Sequence, residues 1–373
     1  MTEESRRSRY REAGKRRAGG RPFHRRHRML LVSVVGFLVV VLGSVTGYAY
    51  WLNSQLGNVG RVESTLDEAD RPDPDEGQAL NILLLGSDAG ELQPGQPRGR
   101  TIKDDVKEAD DWPAGKYRSD TMMIAHITSD RKNVYLVSIP RDTFTTIYDE
   151  QGEPQSEQKI NAAFSDFGPN GAISTVEHLT DLRMRHLAII DWEGFKDLSR
   201  AVGGVTVNIP QAFYDPSQKI QWEAGEQKLE GDQALAYVRT RYGLLRGDFD
   251  RIARQQNFLR SLMKQMLARD TLSNPVRLTR TLTAVTRNLT VDEAWETGDM
   301  RALALSLRNT GADDVTFLTA PVAGTELRPG VGDIALLDEA KATELFEALR
   351  NDDMAAYLAK YPDDVLADES QIG

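Results

Sequence analysis

Apolar and polar positions change period several times along the 373-residue chain, and each change marks an element. Met29 to Trp51, MLLVSVVGFLVVVLGSVTGYAYW, runs 23 residues without a charge. As a helix it would reach about 34 Å at ~1.5 Å per residue, enough to cross a bilayer. Gly47 and Ala49 near its end would suit a cleavage site, but the run exceeds the ~7 to 15 residues of a signal-peptide core. It is therefore read as an uncleaved anchor. Residues 52–78 are polar, end in DEADRPDPDEGQ and hold neither helical nor strand period, which predicts a linker.

From Ala79 short apolar runs alternate with amphipathic stretches. ALNILLLGSD, TMMIAHIT, NVYLVSIP, HLAII and VTVNI read as strands bounded by turn residues. In DWEGFKDLSRAV the residues Trp192, Phe195, Leu198 and Val202 share a helical face. In NPVRLTRTLTAVTRNL, Asn274 can cap, Pro275 takes the first position, and Leu278, Leu282, Val285 and Leu289 form the stripe. Val315 to Leu318 reads as a late strand and LDEAKATELFEALRN as a closing helix. This is the pattern of a layered α/β domain over 79–350, with an exposed loop from Glu91 to Lys116 and a frayed tail over 351–373.

Composition then removes several chemistries. Cysteine is absent, which excludes disulfides, thiolate zinc sites and a cysteine nucleophile. Beyond residue 28 the histidines are His126, His178 and His186, without the spacing of a zinc hydrolase. Hard cations on oxygen ligands remain. Charge is divided: residues 1–28 carry eleven Lys or Arg against three Glu, so the net −10 leaves −18 for the rest. The basic tail beside the anchor predicts a cytoplasmic N-terminus attracted to anionic lipid, with the remainder extracytoplasmic, and is not read as nucleic-acid binding.

Against that acidic background the strand ends collect arginine and aspartate. They are Gly86-Ser87-Asp88, Arg118-Ser119-Asp120-Thr121, Pro140-Arg141-Asp142 and the run RTRYGLLRGDFDRIARQ from Arg239 to Gln255. Asp88 and Asp120 would suffice as the protein's share of a magnesium site; alternatively Asp88 closes a turn and Asp120 caps or pairs with Arg118. If Arg239, Thr240 and Arg241 are extended, both guanidinium groups point to one side. A helix from Asp248 or Asp250 to about Arg269 would put Arg251 and Gln255 on one face beside the core stripe of Ile252, Leu259, Leu262, Met263 and Met266. Arg246 and Arg254 are expected to be solvated. Arginine forks bind phosphate oxygens bidentately, so this grouping suits a diphosphate, with ordinary surface ion pairing as the competing reading.

Seven motifs in register, NILLLGSD, RSDTMMIAHI, VSIPRDT, KINAAFSDFGPNG, HLAIIDWEGFKDLSRAVGGV, LEGDQALAYVRTR and GDFDRIARQQNFL, resemble the LytR-CpsA-Psr family of membrane-anchored cell-wall enzymes. The resemblance covers about residues 79–350. It implies a layered α-β-α core with a central mixed sheet and a hydrophobic isoprenoid pocket. It also implies transfer of a glycopolymer from an undecaprenyl diphosphate carrier to peptidoglycan, outside a membrane holding a single-pass anchor, with magnesium or alternatively manganese. Matched residue by residue, Asp88 and Asp120 are metal-associated acids. Arg118, Arg141, Arg239, Arg241 and Arg251 are diphosphate ligands, and Asp248 and Gln255 complete the polar site. Lys159 and Asn161 match a motif without an assigned role. Asp248 is the first candidate to assist the acceptor hydroxyl, with Asp88 or Asp120 as alternatives. Prenyl-slot walls are sought among Phe164, Phe167, Ile173, Val176, Phe195, Leu198, Leu259 and Met263. A diphosphate hydrolase, or a non-catalytic binder of polyprenyl lipid, would use the same residues.

Overall fold

Strand alternation decides which side chains face which layer. A computed structural model describes residues 54, 57, 59–74, 77–88, 102–103, 112–241, 248–368 and 372, with backbone alone at 248, 269 and 272. The expected anchor and basic tail lie outside these residues, as do Arg246 and the side chain of Asp248. No helix among the described residues is long and apolar enough to cross a membrane.

The elements in chain order begin with β1 (Gly60–Val62), β2 (Leu80–Ser87), β3 (Ser119–Ile127), β4 (Val134–Ile139), β5 (Phe144–Tyr148) and β6 (Pro154–Lys159). Then come α1 (Asn161–Thr180), β7 (His186–Asp191), α2 (Trp192–Ala201), β8 (Val205–Ile209), β9 (Phe213–Asp215), β10 (Ile220–Trp222) and β11 (Gly225–Leu229). α3 (Asp232–Arg239), α4 (Asp248–Met266), α5 (Arg269–Ser273), α6 (Pro275–Asn288), β12 (Leu289–Asp292) and α7 (Thr297–Ser306) follow. The chain closes with β13 (Val315–Thr319), β14 (Val322–Arg328), β15 (Gly332–Leu337), α8 (Glu339–Arg350) and α9 (Met354–Lys360).

Seven strands form one mixed sheet in the order β1-β12-β7-β2-β3-β4-β13. β2 is antiparallel to β3, with Leu83 opposite Ile124, and parallel to β7, with Leu84 opposite Ala188. Leu83, Leu85, Ile124, Val137, Leu187 and Ile189 therefore point to one face, where α1 and α8 cover them with Phe164, Ile173, Val176, Leu345 and Phe346. Ile82, Met123, Ala125, Leu136 and Ala188 point to the other. There α2, α3, α4 and α6 and the strand pair β8–β11 build the core around Leu198, Val207, Tyr237, Phe258 and Leu262.

Local chemistry sets the helix starts. Asn274 Oδ1 accepts from the backbone nitrogens of Val276 and Arg277 at 3.0 and 3.2 Å, ahead of Pro275, as the sequence predicts. Asp191 ends β7 and caps α2 through Gly194 N at 2.8 Å, so Trp192 begins a helix directly at a strand end. Three segments differ from expectation. Gly60–Val62, inside the expected linker, pairs with β12 at the sheet edge. Ile102, inside the expected exposed loop, is buried in the core. Residues 354–360, inside the expected tail, form α9 and bury Met354 and Tyr357.

Candidate active site

The site assembles where β2, β3, β4 and β7 meet α2, α3 and α4. β2 runs into Asp88, whose Oδ1 accepts from Arg118 N at 2.7 Å while its own N–H donates to Arg118 O at 3.1 Å. Asp88 thus staples the entry of β3, next to the register shift at Gly86 and Ser87. Two residues on, Asp120 accepts from Arg141 Nη1 at 2.5 Å across the turn that follows β4. Asp120 therefore pairs with Arg141, and the Asp120–Arg118 pairing considered from the sequence does not form. Asp142 extends the chain of charges: its carboxylate meets Arg141 Nε at 3.5 Å and Lys159 Nζ at 3.1 Å. Asn161 N donates to Arg141 O at 3.2 Å. Of the two residues without an assigned role, Asn161 holds the Arg141 backbone, and Lys159 pairs with the Asp142 carboxylate that meets the Arg141 side chain.

α4 brings the second half. Gln255 accepts from Thr121 Oγ1 at 3.3 Å and donates to Val238 O at 3.3 Å, joining β3, α3 and α4 at one residue. Gln256 Nε2 donates to Ser138 Oγ at 2.8 Å and Leu318 O at 2.6 Å, fixing the same helix over the sheet. Arg251 is 2% exposed, more deeply placed than a residue beside the stripe was expected to be.

The Arg-Thr-Arg segment corrects the extended reading. Arg239 is the last residue of α3, and Thr240 N still donates to Ala236 O and Tyr237 O, with Thr240 leaving the helix at φ −58° and ψ 130°. The hydrogen bonds that finish the helix outweigh the spacing argument, because the segment's alternation is too short to impose a strand. Arg239 stacks its guanidinium 4.2 Å above the Trp192 ring, and Arg239, Arg241 and Arg118 are exposed. Among the described residues the side chains of Arg118 and Arg241 have no partner. Arg254, expected to be solvated, is 1% exposed between Phe213 and Tyr237, at 4.7 and 5.0 Å from the two rings. Burial lowers its pKa, opposed by the charges of Asp250 and Asp215.

Beneath this polar rim lies an apolar slot of about 350 Å³. Leu84, Met123 and Ala188 supply its sheet wall, and Phe195, Leu198, Leu259 and Val285 its helix wall. Asp120, Thr121, Asp191, Trp192 and Gln255 line the same cavity, so the apolar volume opens onto the charged strand ends. Of the wall residues sought from the sequence, Phe195, Leu198 and Leu259 line it. Phe164, Ile173 and Val176 do not: they point to the opposite sheet face and belong to its core. Hydrophobicity alone cannot tell the two faces apart.

Asp88 and Asp120 lie at adjacent strand ends, one oxygen of each already accepting, from Arg118 N and Arg141 Nη1 respectively. No cluster of three or more His, Asp or Glu among the described residues could hold one. Magnesium held by Asp88 and Asp120 would need phosphate and water for its remaining oxygens.

Comparison with known proteins identifies the family and the fold. The chain is 34% identical over 331 residues to the cell wall biosynthesis protein LcpA of Corynebacterium glutamicum, covering 82% of this chain and 59% of that one. It is 28% identical over 287 residues to the polyisoprenyl-teichoic acid–peptidoglycan teichoic acid transferase TagU of Enterococcus faecalis, covering 76% and 84%. Its fold matches the crystal structure of B. subtilis TagV with a TM-score of 0.57 at 24% identity, over 75% of this chain and 98% of TagV. The model of the LytR_cpsA_psr family matches residues 53–351, the stretch that holds the slot and every strand-end residue named above. The chain belongs to the LytR-CpsA-Psr family.

Proposed function

We propose that the protein is a phosphotransferase that moves a glycopolymer from a polyprenyl diphosphate carrier to peptidoglycan, leaving a phosphodiester. One observation carries this reading: an apolar slot of about 350 Å³ opens onto Asp120 and Gln255, beside Arg141 and the Arg239–Trp192 stack. A prenyl diphosphate has the same division, an apolar chain ending in two phosphates. Each methylene buried in the slot contributes about 0.8 kcal/mol, while arginine forks align the phosphates. The name of the E. faecalis relative gives that protein a polyisoprenyl-teichoic acid as donor and peptidoglycan as acceptor, which supports the reading.

The acceptor sugar hydroxyl attacks the sugar-linked phosphorus. The bond from that phosphorus to the bridging oxygen breaks, and prenyl phosphate leaves with the electron pair. The hydroxyl proton passes to one of the carboxylates Asp88, Asp120 or Asp248. Negative charge gathers on the phosphoryl oxygens and the leaving group, so catalysis rests on alignment and neutralisation. Arg141, fixed by Asp120, Asp142 and Asn161, supplies an oriented fork; Arg118, Arg239, Arg241 and Arg251 supply further positive charge. Magnesium bound with Asp88 and Asp120 would neutralise phosphate charge. The 23-residue apolar run and the basic tail support a membrane-held enzyme whose catalytic domain faces outward.

The test is titration of the full chain in detergent with a short polyprenyl diphosphate, with and without magnesium, against Arg118→Ala and Arg241→Ala. Weaker binding in both variants supports the reading; unchanged binding in both sinks it.

A further inference from the structure

We propose that the β9–β10 hairpin is the positioning element of the arginine set, holding the ends of α3 and α4 in one arrangement through Asp215 and Phe213. The inference rests on the reading of Arg239 and Arg241 as phosphate-binding residues.

The hairpin pairs Asp215 with Ile220 and Phe213 with Trp222, and it reaches both helices from a single strand. Asp215 is fully buried. Its Oδ2 accepts from Thr240 Oγ1 at 2.8 Å and from Gln218 Nε2 at 2.8 Å, and its Oδ1 accepts from Ser217 N and Oγ at 2.9 and 2.6 Å. Gln218 Nε2 also lies 3.1 Å from Thr240 Oγ1 and 2.9 Å from Ala236 O. Thr240 is itself completely buried and stands between the two exposed arginines. An ionised carboxylate and an amide therefore clamp the one residue whose backbone turns the chain out of α3. Two residues earlier on the same strand, the Phe213 ring lies 4.7 Å from the Arg254 guanidinium on α4, one turn from Arg251 and next to Gln255. The Tyr237 ring of α3 lies 5.0 Å from that guanidinium, which closes a circuit from hairpin to α4 to α3.

Such a clamp has a mechanical purpose. Arg239 and Arg241 hang on the C-terminal end of α3, where backbone otherwise frays. Loss of the Thr240 hydroxyl leaves the buried Asp215 with one donor fewer and frees the turn that aims both side chains. The hydroxyl touches no substrate in this account; it acts through the two arginines.

Two readouts on the full chain in detergent test it. The first is limited trypsin cleavage after Arg239 and Arg241, which reads order in the segment without any ligand. The second is affinity for inorganic pyrophosphate with magnesium. Thr240→Val keeps the shape and removes the hydroxyl, Thr240→Ser restores it, and Thr180→Val removes a buried hydroxyl that bonds Val176 O on α1 as a stability control. Expected are cleavage at least fivefold faster and pyrophosphate binding at least tenfold weaker in Thr240→Val. Thr240→Ser should return both to within threefold of the parent, and Thr180→Val should change neither, even where it lowers the melting temperature equally. Unchanged cleavage in Thr240→Val, no rescue by serine, or equal effects in Thr180→Val would overturn the clamp. Faster cleavage with unaltered pyrophosphate binding would instead overturn the phosphate-binding role of the two arginines and leave the clamp as a purely structural one.

Discussion

The Arg141 guanidinium donates to the Asp120 carboxylate at 2.5 Å, joining the start of β3 to the turn after β4. Both side chains remain partly exposed, so the pair adds little to stability, at most about 1 kcal/mol. Its value lies in orientation. Arg141→Ala is expected to lower kcat/KM about 10²- to 10³-fold, the usual cost of losing one preorganised charge donor, with a melting temperature close to the parent. Arg141→Lys should recover only part of the rate, because a lysine restores charge without the fork. Steady-state kinetics with a lipid diphosphate donor check both.

Ala188 forms part of the slot's sheet wall. Ala188→Leu adds three carbons to that wall and displaces about two methylenes of a bound prenyl chain, worth roughly 1.6 kcal/mol. Affinity for polyprenyl diphosphate should fall about tenfold or more while affinity for inorganic pyrophosphate stays unchanged. Parallel titrations with the two ligands separate slot from rim; an equal loss for both would contradict the division.

Gly194 sits in the first turn of α2, where a Cβ would lie 2.5 Å from Asn288 Cβ on α6. That neighbour is the root of its side chain and cannot swing away. Gly194→Ala should cost about 1–2 kcal/mol, the overpacking penalty less the gain in helix propensity. Urea unfolding measures it. Because α2 carries Trp192, pyrophosphate affinity should fall as well.

Burial alone would raise the pKa of Asp215, but hydrogen bonds from Ser217, Gln218 and Thr240 outweigh it and lower the value from 3.8 to about 2. A depressed carboxylate contributes stability that is complete above its unfolded pKa and is lost as pH falls through the folded one. The window is therefore about pH 4 to pH 2, and the contribution above it is on the order of 2 kcal/mol. Urea unfolding of the parent and of Asp215→Asn should show a stability difference that shrinks across this window. A difference independent of pH would contradict the charged clamp.

The strands and capped helices were legible because period-two runs and Asn274-Pro275 are local signals, and the strand ends directed attention to Asp88, Asp120 and Arg141. Tertiary partners were not legible. Arg254 reads as solvated on charge alone, and only the fold brings Phe213 and Tyr237 to its faces. Phe164 and Phe195 look alike in sequence, yet opposite sheet faces separate core from slot. Arg239 and Arg241 keep the spacing of a strand although a helix ends at the first and Thr240 turns the chain out of it. Asp215 was missed because nothing near it in sequence points to Thr240. Trp192 was assigned only to a helix face, although its place directly after a strand end marked it as a rim residue.

Phosphoryl transfer is tested most directly by following the phosphorus. Full chain in detergent is incubated with magnesium and a polyprenyl diphosphate-linked glycan, with and without peptidoglycan, and the products are read by phosphorus NMR and mass spectrometry. Release of polyprenyl monophosphate is expected to depend on peptidoglycan and to be matched by a new sugar phosphodiester on the wall polymer. Release of polyprenyl monophosphate at the same rate without peptidoglycan, with water in place of the glycan acceptor, or no release at all, would contradict it.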